Sequence, residues 1–306
     1  MKISAFVLIL LLSGGLAFTQ VTDAEKQLKI QSADSVPGWK KGGVINFTTS
    51  QTSLTNWAAG GQSSIALSGL VSLFAHNKMA RSLWENYLDL GYGSLKQGKK
   101  DWWKTDDKID FTSKYGYNLS KNLYLAGLVN FKTQMAQGYN YPNDSVMISG
   151  FMAPGYLLGA LGLDYVPGDN FTVFIAPLTT KMTFVTDEVL SEEGKFGVDP
   201  GNNVLSEFGG YARITAKADL MENIAIQTKL DLFTNYLRNP ENIDVSWEVL
   251  LNMKINEFFA ATLTTHLLYD DDVDIEIDNN NDGVTDEAGP RIQFKEVLAV
   301  GFSLKF

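Results

Sequence analysis

The sequence predicts an all-β chain folded as an antiparallel, up-and-down transmembrane β-barrel of about twelve strands. Three observations predict it. From Gly43 onward the chain breaks into segments of alternating apolar and polar residues, each closed by a polar or Gly/Pro/Asn-rich turn. The connectors between segments are alternately short and long, the asymmetry of a barrel with tight turns on one rim and loops on the other. Finally, the sequence closes on EVLAVGFSLKF, in which Leu298, Val300, Phe302, Leu304 and Phe306 share one parity, so one face of the last strand is continuously apolar.

The elements follow in order. Residues 1–19 carry Lys2, an apolar run from Ile3 to Leu12 and then small residues, the pattern of a secretory signal peptide with cleavage ahead of Gln20. Residues 20–42, mixed in charge and ending near Pro37 and Gly38, read as a periplasmic N-terminal tail. Residues 43–306 read as the barrel, with strands at 43–54, 62–76, 81–94, 107–118, 122–135, 146–166, 171–186, 206–219, 222–237, 243–254, 257–269 and 291–306. Pro154 and Gly155 require either a kink in 146–166 or two shorter strands there. Short connectors fall at 75–78, 118–121, 167–170, 220–223 and 255–257, and long ones at 94–106, 136–145, 187–205 and 270–290. Tyr92, Tyr115, Tyr117, Tyr165, Tyr236, Tyr269 and Phe306 lie near strand ends, where amphipathic rings settle at headgroup depth.

Composition narrows the setting. Beyond the signal segment there is no apolar window long enough for a membrane helix. The absence of cysteine excludes a disulfide framework and a lipid-modified cysteine anchor. A formal charge of −10 argues against nucleic acid as a partner. The expected location is therefore the outer membrane of a Gram-negative bacterium. The expected partners are outer-membrane lipid, lipopolysaccharide and the barrel-insertion machinery, which reads a terminal aromatic strand.

Several phrases, in order along the mature chain, carry a family resemblance: GWKKGG (38–43), SQTSLTNWAAGGQSS (50–64), KTDDKIDFTSKYGY (104–117), FKTQMAQGYNY (131–141), DLFTNYLRNPENIDVSWEVLLNMKIN (231–256), LLYDDDVD (267–274) and GPRIQFKEVLAVGFSLKF (289–306). The chain resembles a bacterial outer-membrane β-barrel family known only as a domain of unknown function, the DUF3078 type. The resemblance implies a fold and a compartment and brings no catalytic residues with it.

Two sets of residues bear on chemistry. In the acidic segment, DNNNDGVTD places Asp278, Asn280, Asp282 and Asp286 at four ligand positions of a calcium loop, but the bidentate Glu of its last position is replaced by Gly289. Weak calcium binding is one reading, a solvated acidic loop the other, and no other cofactor is expected. The inward parity of the strands carries charges of both signs, expected to line the lumen: Glu85 and Asp89, Asp110 and Lys114, Lys132, Arg213, Lys229 and Asp231, and Glu248, with His266 among them. Lys181, Lys217, Asp244, Lys295 and Lys305 share that parity. Such groups either fill a lumen with cross-strand ion pairs or set the selectivity of a narrow pore.

The only histidines are His76 and His266, and the sequence shows no serine obviously beside either, so the reading leans away from an enzyme. NWAAGGQSS (56–64) is Gly-rich but lacks the lysine of a phosphate cradle, and Trp102 and Trp103 suit a membrane interface. The expectation is a narrow channel or passive transporter for small solutes. The alternative is a plugged structural or interaction barrel displaying an acidic outer loop that binds divalent ions, and an outer-membrane hydrolase comes third.

Overall fold

The computed structural model describes residues 37–54, 62–141, 143–168, 170–256, 259–277 and 287–305. The expected signal peptide, residues 20–36 of the tail, Trp57, and Asp278, Asn280, Asp282 and Asp286 lie outside the described residues, as does the Lys305 side chain. In chain order the strands are β1 (Gly38–Thr52), β2 (Ser64–Lys78), β3 (Ser82–Gln97), β4 (Trp103–Ser120), β5 (Leu123–Thr133), β6 (Gly138–Tyr139), β7 (Met147–Ser149), β8 (Gly155–Gly168), β9 (Phe171–Phe184), β10 (Val204–Met221), β11 (Ile224–Asn235), β12 (Asp244–Lys254), β13 (Phe259–Tyr269), β14 (Asp274–Ile277), β15 (Glu287–Pro290) and β16 (Gln293–Lys305). A short helix, α1 (Glu188–Glu192), precedes β10. Twelve of the strands close an antiparallel barrel in the order β1-β16-β13-β12-β11-β10-β9-β8-β5-β4-β3-β2. Among the described residues no helix is long and apolar enough to cross a membrane.

Alternation makes the wall. On β9, Phe174 is 2% exposed while its neighbour Ile175 is 57% exposed, the period-two switch that sends one side chain into the barrel and the next outside. Leu161, Leu163, Trp247, Leu298 and Val300 extend the outward apolar band. Tyr92, Tyr115, Tyr117, Tyr165 and Tyr236 are exposed, and Trp39 packs on Trp84 at 5.7 Å near the short-turn rim. Outside the β1–β16 seam, closure pairs the wall's strands along most of their length, which suits a lipid setting.

The boundaries differ from expectation where hydrogen bonding runs past the apolar pattern. β1 starts at Gly38 rather than Gly43, pairing with β2 from Gly38↔Lys78, so 38–42 belongs to the wall and not to a tail. The expected long loop 94–106 shrinks to the connection between Gln97 and Trp103, because polar residues at both strand ends continue the ladder. The segment 146–166 is indeed broken at Pro154, into β7 and β8. The remaining long loops fold: β6 pairs with β7, β14 with β15, and the 187–205 connection carries α1, capped by Asp187 through Leu190 N. Leu190, Val185, Val198 and Ala153 pack into a small buried cluster beneath that connection.

Two places in the wall are unusual. At Gly209 the β9–β10 register shifts, and a Cβ there would lie 1.8 Å from the Thr234 carbonyl oxygen, so the close backbone approach requires glycine. The closing seam is short: β1 meets β16 only from Val44↔Lys305 to Phe47↔Phe302 among the described residues, whereas it pairs with β2 along its whole length.

Candidate functional site in the lumen

The inward faces divide into two levels. Towards the short-turn rim the lumen is packed. Lys114 on β4 contacts Glu85 on β3 at 3.0 Å and reaches over β5 to Asp164 on β8 at 2.6 Å. The Tyr87 hydroxyl donates to Glu85 Oε1 at 3.2 Å, and the Tyr87 ring stands edge-on to His76 at 4.9 Å. Glu85, His76, Asp164 and Ser72 are all at most 4% exposed. A lysine between two carboxylates is what lets three charges be buried together, since each would otherwise carry its own desolvation cost. Along the adjoining wall, from β5 to β11, Phe174, Tyr211, Phe233 and Leu128 are buried with Ala126, Ala160 and Ala176, the small residues leaving room for the rings.

Midway, Asp89 and Asp110 both lie 3.9 Å from the Lys108 Nζ, and Lys132 is 4.0 Å from Asp110. Asn130 donates to Asp110 at 2.6 Å. Arg213 grips Asp231 with two N–H groups, at 2.6 and 3.0 Å, and the Tyr211 hydroxyl donates to the same carboxylate at 2.7 Å. Lys229 pairs with Glu248 at 2.6 Å.

Above this level, on the loop side, a cavity of about 670 Å³ opens between β5, β8 to β13 and the folded loops. Lys132, Arg213, Asp231 and His266 reach its base; Tyr156, Leu157, Phe233 and Leu268 form much of its wall; Phe196, Val273 and Ile275 overhang it from the loops. Near its mouth Lys181 receives three carboxylates: Glu207 at 3.3 Å, Asp244 at 2.8 Å and Asp270 at 3.1 Å. Another clamp, Lys104 with Asp107 at 3.1 Å and the Ala136 carbonyl at 2.7 Å, fastens the 134–136 segment to β4.

Of the ten residues expected along the lumen, eight meet as ion pairs: Glu85 with Lys114, Asp110 with Lys132, Arg213 with Asp231, and Lys229 with Glu248. Lys295 does not join the interior network; its side chain is half exposed and meets Asp106 at 3.4 Å. Sequence reading missed Asp164, Lys108, Glu207 and Asp270, although Asp164 breaks the apolar alternation of LGLDYV in the inward slot and was legible there. It also missed a serine beside a histidine: Ser246 Oγ lies 2.9 Å from His266 Nε2, the two residues being diagonal across the β12–β13 ladder. His76, by contrast, is buried between Phe74 and Tyr87. Gly289, the slot of the missing calcium ligand, lies in β15 opposite Ile275. Trp103 stacks on Tyr141 at 5.2 Å, with the Lys100 ammonium 4.7 Å from its ring, while Trp102 is exposed.

These features define a closed antiparallel barrel with an apolar exterior and a charged, internally paired interior. Residues 49–139, from the outer half of β1 to β6, match the model of a family described as a protein of unknown function (DUF3078), which bears out the resemblance read from the sequence over that stretch. Among curated proteins none matches. Two solved structures are similar: the COG4313 outer membrane channel from Pseudomonas putida F1, at 12% identity and a TM-score of 0.41 over 90% of this chain and 98% of that one, and the translocator domain of the autotransporter NalP from Neisseria meningitidis, at 10% identity and a TM-score of 0.35 over 92% and 93%. Likeness at this level carries no argument by itself, and the barrel rests on its own strand pairing.

Proposed function

We propose that the protein is an outer-membrane barrel that admits a small solute from the loop side into a vestibule and keeps its lumen shut below. In this reading the apolar band meets outer-membrane lipid and lipopolysaccharide, the terminal strand is the segment read by the barrel-insertion machinery, and the 278–286 segment is open to weak calcium binding. The observation that carries the closed lumen is the change in burial with depth. Lys132 at the vestibule base keeps a side chain 35% exposed, whereas the side chains of Asp164 and Glu85 below it are 5% exposed, held by Lys114 reaching across β5. An open aqueous pore would wet those carboxylates.

A second reading, the narrow channel, is favoured by the polar character of the lower level. Ser72 Oγ, His76 Nε2, Asp164 Oδ1, Gln227 Oε1, Asn252 Oδ1 and Thr264 Oγ1, spread over five strands, are buried with no hydrogen-bond partner among the described residues and are suited to holding water. The floor is then the shut state of a gate. Planar-bilayer conductance separates the two. The closed barrel gives no steady current from folded protein and acquires current when Lys114→Ala loosens the floor. Steady ion-selective steps from the unaltered chain would establish the channel and overturn the closed lumen.

A further inference from the structure

We infer that the vestibule binds an amphipathic organic cation, an ammonium group carried on an apolar or aromatic body, at the carboxylates gathered around Lys181. The inference rests on the vestibule reading above and names its ligand class.

Charge accounting carries it. Glu207, Asp244 and Asp270 come from three different places, β10, β12 and the residue after β13, and converge on one ammonium within 3.3 Å. Among the described residues no other Lys or Arg pairs with them, so three carboxyl groups share one ammonium, and two of them, Asp244 and Asp270, line the cavity. Every other cation at the cavity is already met by an acid: Arg213 by Asp231 on two N–H groups, Lys132 by Asp110 at 4.0 Å, which it shares with Lys108, and Lys195 by Glu193 at 3.7 Å. An anionic solute thus meets cations already paired, while a cationic one meets carboxyl groups that share a single ammonium.

The surrounding surface fits the body of such a ligand. The Lys181 ammonium lies 5.2 Å from the Phe233 ring centroid, so a cation and an aromatic face are already apposed here. Tyr156, Leu157 and Leu268 continue the wall beside it. Outside, Asp271, Asp272 and Asp274 follow directly on Asp270, and Asp272 is met only distantly by Arg238, at 4.0 Å. On a chain of net charge −10 that mouth concentrates cations ahead of binding. Lys181 is then a tethered stand-in, a built-in ammonium that shares the site with the incoming one.

The test uses the full protein in nanodiscs, with 2-phenylethylammonium and 3-phenylpropionate as probes of similar size and opposite charge, followed by calorimetry. The ammonium probe is expected to bind more tightly than the carboxylate and to lose affinity by about tenfold or more in Asp270→Asn and in Asp244→Asn, as for a desolvated charge pair deprived of one member. In Lys181→Met, which removes the internal competitor, its affinity rises. Preference for 3-phenylpropionate, or affinity for the ammonium probe unchanged in both Asn variants, overturns the inference while leaving the vestibule intact. Binding of neither probe also overturns it. The chain has no cysteine, so Ser246→Cys then reports on the vestibule alone: labelling by a membrane-impermeant thiol reagent from the loop side retains that reading, and failure to label removes it too.

Discussion

The two levels of the lumen are made of the same residue types and behave as different materials. Below, Glu85, Lys114 and Asp164 form a trio in which one lysine is shared by two nearly fully buried carboxylates, packed among Tyr87, His76 and Phe74. Above, Lys181 is shared by three carboxylates, two of which, Asp244 and Asp270, keep 19% and 16% of their side chains exposed, and a cavity lies alongside. The difference lies in what fills the space beside the charges, because the ion-pair distances are alike. Aromatic and neighbouring polar side chains close the floor; the folded loops 143–150 and 270–277 overhang the upper level without filling it. A charged barrel interior is therefore neither pore nor plug by composition, and becomes one or the other according to the bulk of its neutral neighbours.

The comparison can be broken most severely in the wall that supports both levels. Gly209→Val forces a side chain against the Thr234 carbonyl, and the expected result is a chain that fails to show the heat-modifiable gel mobility of a closed barrel. Next in size, Lys114→Ala leaves Glu85 and Asp164 buried without their cation and should cost about 3–5 kcal/mol in denaturant unfolding. Restoration of most of that stability by the triple change to Ala at Glu85, Lys114 and Asp164 would show that the loss comes from uncompensated charge rather than from lost packing. A smaller cost, about 2–4 kcal/mol, is expected for Leu161→Arg on the outward face at mid-strand, if that face meets lipid. The same change in a water-facing strand would be nearly neutral, so the unfolding measurement tests the membrane setting directly.

Smaller effects sharpen the contrast. Ser246→Ala removes one hydrogen bond to His266 at the vestibule base and should cost about 1 kcal/mol or less. In the unaltered protein Ser246 is expected to resist a fluorophosphonate probe. Covalent labelling there, lost in His266→Asn, would revive the hydrolase reading. Least of all, alternate backbone amides of Thr48–Thr52 should exchange hydrogen faster than those of Ile65–Val71, since among the described residues β1 meets β16 only through Val44–Phe47.

Much of the architecture was legible because strand period and wall orientation are the same information. The run Leu298, Val300, Phe302 declares a lipid-suited face without reference to any other strand, and Lys229 and Asp231 declare an inward one. Strand ends were less legible at 94–106, where Lys104 and Asp106 read as loop residues but continue the β3–β4 ladder, since backbone pairing does not require apolar side chains. The break at Pro154 was readable from a missing N–H donor; the β14–β15 hairpin was passed over because it lies inside an acidic run, although Val273, Ile275 and Ile277 alternate there with Asp274 and Glu276.

By itself the sequence determined the fold class, the even strand count, the inward charges and the partition of turns and loops, all of which follow from local periodicity and turn chemistry. Tertiary structure alone decided which charges meet. Lys114 reaches Asp164 across an intervening strand, Lys181 gathers carboxylates from β10, β12 and the end of β13, and Ser246 finds His266 diagonally. The physical reason is that parity sends a side chain into the lumen, but barrel closure and register set its height and its facing neighbours, and those depend on every strand at once.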